Sequence, residues 1–92
     1  MSQKDLRLRY RDSINLKVNK IRHRKGITTL EDSVAISENC PLIINRQKGK
    51  FKVDYSNTIG SLPRPYSIFK NANSNVIRII IASDTMYYKS LY

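Results

Sequence analysis

The stretch NKIRHRKGITTLEDSVAISENCPLII, residues 19–44, contains the signals that decide the predicted fold. Within it, Thr28–Asp32 holds two overlapping capping boxes, Thr-x-x-Glu and Thr-x-x-Asp, which are typical of a helix start. Acidic side chains in a first turn also suit the helix dipole. Pro41 has no N–H to donate, so we expect this acidic helix to end just before it.

The chain ahead of Thr28 predicts a strand followed by a basic helix. Leu6–Arg11 alternates apolar and charged residues, which favours a half-buried strand. Apolar residues also recur every four positions from Leu6 to Val18, so a helix stays open as an alternative. In the first interpretation Asp12 or Ser13 caps a basic helix, and Gly26 ends it by taking the left-handed conformation.

The chain after Pro41 predicts strands and turns. Alternating or continuous apolar residues favour strands, and Asn, Ser and Gly favour the turns between them. We expect a central, well-buried strand over 76–82, because it is nearly continuous and β-branched. The other expected strands are 42–44, 51–55 and 66–69, with turns at 47–50 and 71–75. The predicted fold class is α+β: an N-terminal strand and two helices packed on a small antiparallel sheet, in a single domain spanning residues 1–92.

The composition indicates a polyanionic partner. The 92 residues carry 17 Lys and Arg against seven Asp and Glu, a formal net charge of +10. The excess lies in residues 1–26 and 46–92, on either side of an acidic segment. Nucleic acid is the commonest partner of such basic surfaces. No apolar run is long enough to span a bilayer and there is one cysteine, so we expect a cytoplasmic protein with no membrane partner.

Several kinds of chemistry are absent from the sequence. The three glycines are isolated, so there is no phosphate-binding glycine loop, and one His and one Cys far apart cannot form a dedicated zinc site. We therefore expect no cofactor and no metal. Arg, Lys, Tyr and the single histidine, His23, remain. Such groups can activate a 2′-hydroxyl, stabilise phosphorane charge and protonate a leaving oxygen in RNA cleavage, and tyrosines can stack on unpaired bases.

Residues 19–44 resemble the pattern of BrnT-type toxins, in which a basic segment with His, Gly and Ile leads into an acidic helix and then an apolar strand. Ile59-Gly60-Ser61 and the later NSNVIRIIIAS, residues 73–83, resemble the Ile-Gly turn and the terminal strand of that family. The resemblance covers roughly residues 6–88. It implies a RelE-like α+β fold, metal-independent endoribonuclease activity, and a cognate antitoxin as a partner in a hetero-oligomer.

The resemblance also suggests catalytic residues. His23 matches the family's His, Arg78 matches the Arg of the final strand, and Arg64 falls near a position that is often basic. Ser83 stands where the family has a second cation. The candidates for compensating its loss are Tyr87, Tyr88, Lys89 and Tyr92, of which Tyr87 is the leading catalytic candidate.

The leading functional hypothesis is a small RNA-cleaving toxin of a type II toxin–antitoxin pair. The alternatives are a nucleic-acid-binding or ribosome-associated protein without catalysis, and a basic structural or inhibitor protein that docks on an acidic partner. In the first two cases RNA is the expected ligand. The candidate nucleic-acid-binding residues are Arg7, Arg9, Arg11, Arg22, Arg24, Lys25, Lys48, Lys50 and Lys52.

Overall fold

The computed structural model describes residues 6–47 and 50–92, and almost all of their regular structure is β-strand. The strands connect through short turns, with one 3-10 turn at Ile59–Ser61. In chain order the strands are β1 (Ile14–Val18), β2 (Ile21–Arg24), β3 (Ile27–Leu30), β4 (Val34–Ser37), β5 (Pro41–Gln47), β6 (Lys50–Thr58), β7 (Tyr66–Lys70), β8 (Val76–Ile81) and β9 (Asp84–Lys89).

The strands form two sheets. One has six strands in the order β1-β7-β8-β9-β5-β6, and the other has three in the order β2-β3-β4. The paired strands are antiparallel. The N-terminal segment lies beside β4, where Leu8 N–H donates to Ala35 O and Ala35 N–H donates to Leu6 O, each at 2.8 Å. The α+β, RelE-like architecture expected from the sequence is therefore wrong, and the described fold is all-β.

The residues predicted to form the basic helix form two strands instead, β1 and β2, and β2 is the first strand of a hairpin with β3. Lys25 and Gly26 both have positive φ, +50° and +79°, as the two central residues of a tight hairpin turn require. Ile21 pairs with Leu30, and Arg24 pairs with Ile27 across this turn. Gly26 thus reverses the chain between two strands rather than ending a helix.

The predicted acidic helix is β3, a turn and β4. Glu31 and Asp32 lie in that turn, both with φ of +52°. The Glu31 carboxylate accepts the backbone N–H groups of Asn19 and Lys20, the latter at 2.6 Å. Glu31, which matches a capping box, therefore accepts hydrogen bonds from the segment between β1 and β2 instead of capping a helix. The β-branched residues on either side of the turn pair with each other as strands.

The predicted N-terminal strand is also wrong over most of its length. In Leu6–Arg11 a single β-bridge joins Arg7 to Ala35, and the chain then turns at Tyr10 and Arg11. Asp12 caps no helix: its carboxylate accepts the backbone N–H of Arg9 at 2.9 Å and so closes this turn.

The predictions for the second half of the chain hold better. Strands occur where they were expected, as β5, β6, β7 and β8, and residues 71–75 connect β7 to β8. β8 lies inside the sheet between β7 and β9. Its burial alternates, however, with Ile77 and Ile79 inside and Arg78 exposed, so one of its faces is open. Lys48 and Gly49 of the predicted 47–50 turn lie outside the described residues.

The hydrophobic core lies between the two sheets. Side chains from one face of the larger sheet meet those from one face of the smaller sheet, together with Leu8 of the N-terminal segment. This arrangement buries one face of β1, β7, β8 and β9 and leaves the opposite face of these strands outside the core. The principal core residues are Leu8, Val18, Leu30, Val34, Ile36, Cys40, Ile59, Tyr66, Ile68, Ile77, Ile79 and Tyr88.

Candidate nucleic-acid interface

The outer face of β1, β7, β8 and β9 is set by strand alternation. Ile68, Ile77, Ile79 and Tyr88 point into the core, so their sequence neighbours point away from it. We call this surface the outer face. Its residues are Asn15 and Lys17 of β1, Ser67 and Phe69 of β7, Val76, Arg78 and Ile80 of β8, and Thr85, Tyr87 and Lys89 of β9.

Two aromatic side chains flank an arginine across the outer face. Phe69 pairs with Arg78, and Arg78 pairs with Tyr87, so the three residues form one row across β7, β8 and β9. The Arg78 guanidinium carbon lies 4.8 Å from the centroid of the Phe69 ring, within cation–π distance. Adjacent strands are about 4.8 Å apart, so the row spans roughly 10 Å. We call it the stacking row.

The charge of the outer face is positive. Lys17, Arg78 and Lys89 occupy outward positions, and these four fully described strands place no Asp or Glu on that face. Asp84, at the start of β9, lies on the same side of the strand as the core residue Tyr88, opposite to the outer face, and it pairs with Ile81 at the end of β8. Cations next to aromatic rings are the combination that single-stranded nucleic acids bind.

A small cleft of about 220 Å³ lies between the stacking row and the β7–β8 turn. It is below the volume of pockets for drug-sized ligands, roughly 300–1,000 Å³, and suits one planar ring or a phosphate. Its lining combines the row with the β7–β8 turn: Phe69, Lys70, Asn71, Ser74, Val76, Arg78 and Tyr87.

Lys70 is a buried cation at this end of β7, only 3% exposed. Its ammonium donates to the carbonyls of Tyr10 at 2.9 Å and Asn71 at 3.0 Å, and also to that of Asp12. Burial lowers the pKa of Lys70, and the nearby Asp12 charge partly opposes this. Lys70 therefore fixes the turn at Tyr10 against the end of the sheet.

Beside that turn lies a larger cleft of about 460 Å³, which we call the arginine cleft. The guanidinium carbon of Arg7 lies 5.7 Å from the centroid of the Tyr92 ring. Tyr10 is 53% exposed, so part of its ring surface is accessible. The arginine cleft is lined by Arg7, Arg9, Tyr10, Arg11 and Tyr92.

The four catalytic candidates fall into two separate clefts. His23 and Arg64 line a cleft of about 280 Å³ with Ile21, Leu62 and Pro63, whereas Arg78 and Tyr87 lie on the outer face. No described residue lines both clefts, and they flank opposite ends of β7, a strand about 13 Å long.

His23 is held by the smaller sheet. Its Nδ1 shares a hydrogen bond with Thr28 Oγ1 at 3.0 Å, and lies 3.8 Å from a Glu38 carboxylate oxygen. Arg64 approaches from the segment before β7 and precedes the cis peptide bond to Pro65. A proton-transfer group and a cation therefore line one cleft, without Arg78 or Tyr87.

The remaining predicted binding residues are dispersed. Arg22, Arg24 and Lys25 lie on the β2–β3 hairpin of the smaller sheet, where Arg22 Nε is 3.6 Å from an Asp32 carboxylate oxygen. Lys52 is exposed on β6. Lys48 lies outside the described residues, and Lys50 is the first residue of β6.

Sequence reasoning missed Phe69 and Lys17 as parts of a binding surface, considered Lys89 only as a replacement for the missing catalytic cation, and gave Lys70 no role. The alternation of β7, in which Tyr66, Ile68 and Lys70 are buried, was visible as a pattern. The neighbours of Phe69 were not visible, because they depend on the register between strands that are distant in sequence.

Within the described ranges, no group of three or more His, Cys, Asp or Glu residues is placed to hold a metal ion. No helix in the described part of the chain is long and apolar enough to cross a membrane. Comparison with protein-family models, curated proteins and solved structures finds no match to this chain.

Proposed function

We propose that the protein binds single-stranded nucleic acid on the outer face of its larger sheet. The observation that supports this proposal is the stacking row of Phe69, Arg78 and Tyr87, in register on a face whose four described strands carry cations and no carboxylate. The rings of Phe69 and Tyr87, on β7 and β9 on either side of Arg78, can each stack on an unpaired base, each stack contributing about 1–3 kcal/mol. Bases inside a duplex are already stacked, so this face favours a single strand.

The cations of the outer face account for backbone binding. Lys17, Arg78 and Lys89 can each neutralise a phosphate and release a counterion. For a single strand, three such contacts predict that the logarithm of affinity falls with the logarithm of salt concentration with a slope of about −2. The proposed mechanism is therefore base stacking on Phe69 and Tyr87, with phosphate contacts to Arg78 between them and to Lys17 and Lys89, and it includes no bond cleavage.

Fluorescence anisotropy with labelled single-stranded RNA, single-stranded DNA and duplex tests this proposal. We expect both single strands to bind more tightly than the duplex, and Tyr87→Ala to weaken binding roughly tenfold. Tyr55→Ala is the matched control, because Tyr55 is 65% exposed on β6 and lies outside the stacking row. Equal effects of the two variants, or duplex binding as tight as single-strand binding, would overturn the proposal.

The salt dependence of the affinity tests the role of Arg78 separately. Arg78→Ala should make the salt slope shallower by about 0.7, because one phosphate contact is lost. Lys20→Ala removes the same charge from a residue paired with Asp32 at 2.8 Å, away from the outer face, and should leave the slope unchanged. An unchanged slope in Arg78→Ala would remove this residue from the interface.

RNA cleavage is a second candidate function, supported by His23 and Arg64 in one cleft. In that case His23 transfers a proton and Arg64 stabilises phosphate charge. Incubation with RNA should then give fragments with the wild type and none with His23→Ala. Intact RNA after incubation with the wild type would exclude this activity. The antitoxin partner and the hetero-oligomer stay predictions of the resemblance to BrnT-type toxins.

A further inference from the structure

The arginine cleft lies beside the small cleft that the stacking row and the β7–β8 turn form. The backbone carbonyl of Tyr10, which lines the arginine cleft, accepts a hydrogen bond from the Ser74 N–H at 3.2 Å and another from the Lys70 ammonium at 2.9 Å. Ser74 and Lys70 both line the smaller cleft. The two concave surfaces are thus joined through one hydrogen-bonded turn.

The turn that carries Tyr10 and Arg11 is fixed on three sides. Arg9 and Asp12 close it, with Asp12 N–H donating to Arg9 O at 3.0 Å and the Asp12 carboxylate accepting the Arg9 N–H at 2.9 Å. Lys70 holds its carbonyls from the sheet side. The segment before it pairs with Ala35 of β4. A surface held in this way loses little conformational entropy when a ligand binds.

The chemistry of the arginine cleft matches that of the outer face. Arginine guanidinium groups bind phosphates by paired hydrogen bonds, and the half-exposed Tyr10 ring offers another surface on which a base can stack. The same ligand, a single strand with phosphates and unpaired bases, suits both surfaces.

We propose that one nucleic-acid strand occupies both surfaces, running from the stacking row past the 71–75 turn into the arginine cleft. This inference rests on the proposed function of the outer face and extends it, because it defines the length and path of the ligand. Bases of a short oligonucleotide stack on the row. A longer strand also places phosphates against Arg11 and its neighbours and a further base on Tyr10.

Binding of single-stranded oligonucleotides of about four and about ten nucleotides tests this path. We expect the longer strand to bind the wild type more tightly and with a steeper salt slope. Arg11→Ala and Tyr10→Ala should leave the affinity for the short strand within about twofold, but weaken binding of the long strand roughly five- to tenfold. Tyr87→Ala should weaken binding of both lengths, because the row contacts both.

Lys20→Ala and Tyr55→Ala serve as charge and aromatic controls, and circular dichroism verifies that each variant is folded. If Arg11→Ala and Tyr10→Ala lower affinity for both lengths equally, or leave the advantage of the long strand intact, the extended path is wrong while the outer-face proposal survives. If Tyr87→Ala changes neither length, the outer-face proposal itself is wrong, and the path that depends on it is wrong as well.

Discussion

Replacing Gly60 with alanine should destabilise the fold, because the new methyl group has no space. Gly60 lies in the Ile59–Ser61 turn, and its N–H donates to the Glu38 carbonyl at 3.1 Å. A Cβ on Gly60 would lie 2.7 Å from Glu38 Cβ and 2.9 Å from Glu38 O. Glu38 cannot simply move away, since its own N–H donates to Gly26 O at 3.0 Å.

The expected cost follows from these contacts. Overpacking by one carbon typically costs about 1–3 kcal/mol, and a backbone shift that breaks the Gly60–Glu38 hydrogen bond adds about 1 kcal/mol. We therefore expect a loss of about 2–4 kcal/mol. A chain of 92 residues has a total stability of roughly 5–14 kcal/mol, so the variant should fold with a clearly lower stability.

Urea denaturation followed by circular dichroism measures this loss. The midpoint for Gly60→Ala should fall by on the order of 1–2 M, with the slope of the transition unchanged. Gly26→Ala is the contrasting variant, because among the described residues its Cβ would meet only a Glu38 carboxylate oxygen, at 4.0 Å, while its φ is +79°.

The two glycines should respond differently to asparagine. Gly26→Ala costs about 1–2 kcal/mol through backbone conformation alone, and Gly26→Asn should recover part of this, since Asn tolerates the left-handed region. Gly60→Asn should recover nothing, because its Cβ meets the same atoms. A stability of Gly60→Ala within about 0.5 kcal/mol of the wild type would refute the steric argument.

Three further predictions concern buried groups. Burial, with a smaller contribution from Tyr88, raises the pKa of Tyr66 to about 12 from 10.0, so the folded state holds its proton longer than the unfolded state. Stability should therefore fall by about 1 kcal/mol between about pH 9 and pH 11 in urea titrations, and by less in Tyr66→Phe. Lys70→Met removes the donor to three carbonyls, so amide hydrogen exchange across residues 10–13 should accelerate and stability should drop by about 2 kcal/mol or more; unchanged exchange would contradict this role. Burial raises the pKa of the Cys40 thiol, so its reaction with a thiol reagent should be slow in the native protein and accelerate sharply in urea, and rapid native labelling would contradict its burial.

The strands of the second half were predictable because their signals are local. Alternation over residues 51–55 and the β-branched run over 76–82 identify β6 and β8 without knowledge of their partners. The prediction of two helices was wrong. For the acidic helix, the reason is that the spacing of a capping box also fits an acidic hairpin turn. The run of Ile, Thr and Val around Glu31 and Asp32 was the stronger signal, since such residues favour strands.

The candidate site was also predictable only in part. Arg78 and Tyr87 were identified from the sequence, but as catalytic residues together with His23 and Arg64. Their actual neighbours include Phe69, which only the pairing of β7 with β8 brings beside Arg78. The register of strands depends on side chains far apart in the chain, so no local pattern could reveal the stacking row.

By itself, the sequence determined the net charge of +10, the β-branched segments that pair in the sheets and the lack of a glycine-rich phosphate loop. These properties depend on residue type and short-range order alone. Only the tertiary structure decided which cations share a surface, that Lys70 is buried against three carbonyls, and that two aromatic residues flank Arg78. The physical reason is that packing two sheets around one core buries one side of β1, β7, β8 and β9, and so selects which alternate residues of these strands face the solvent together.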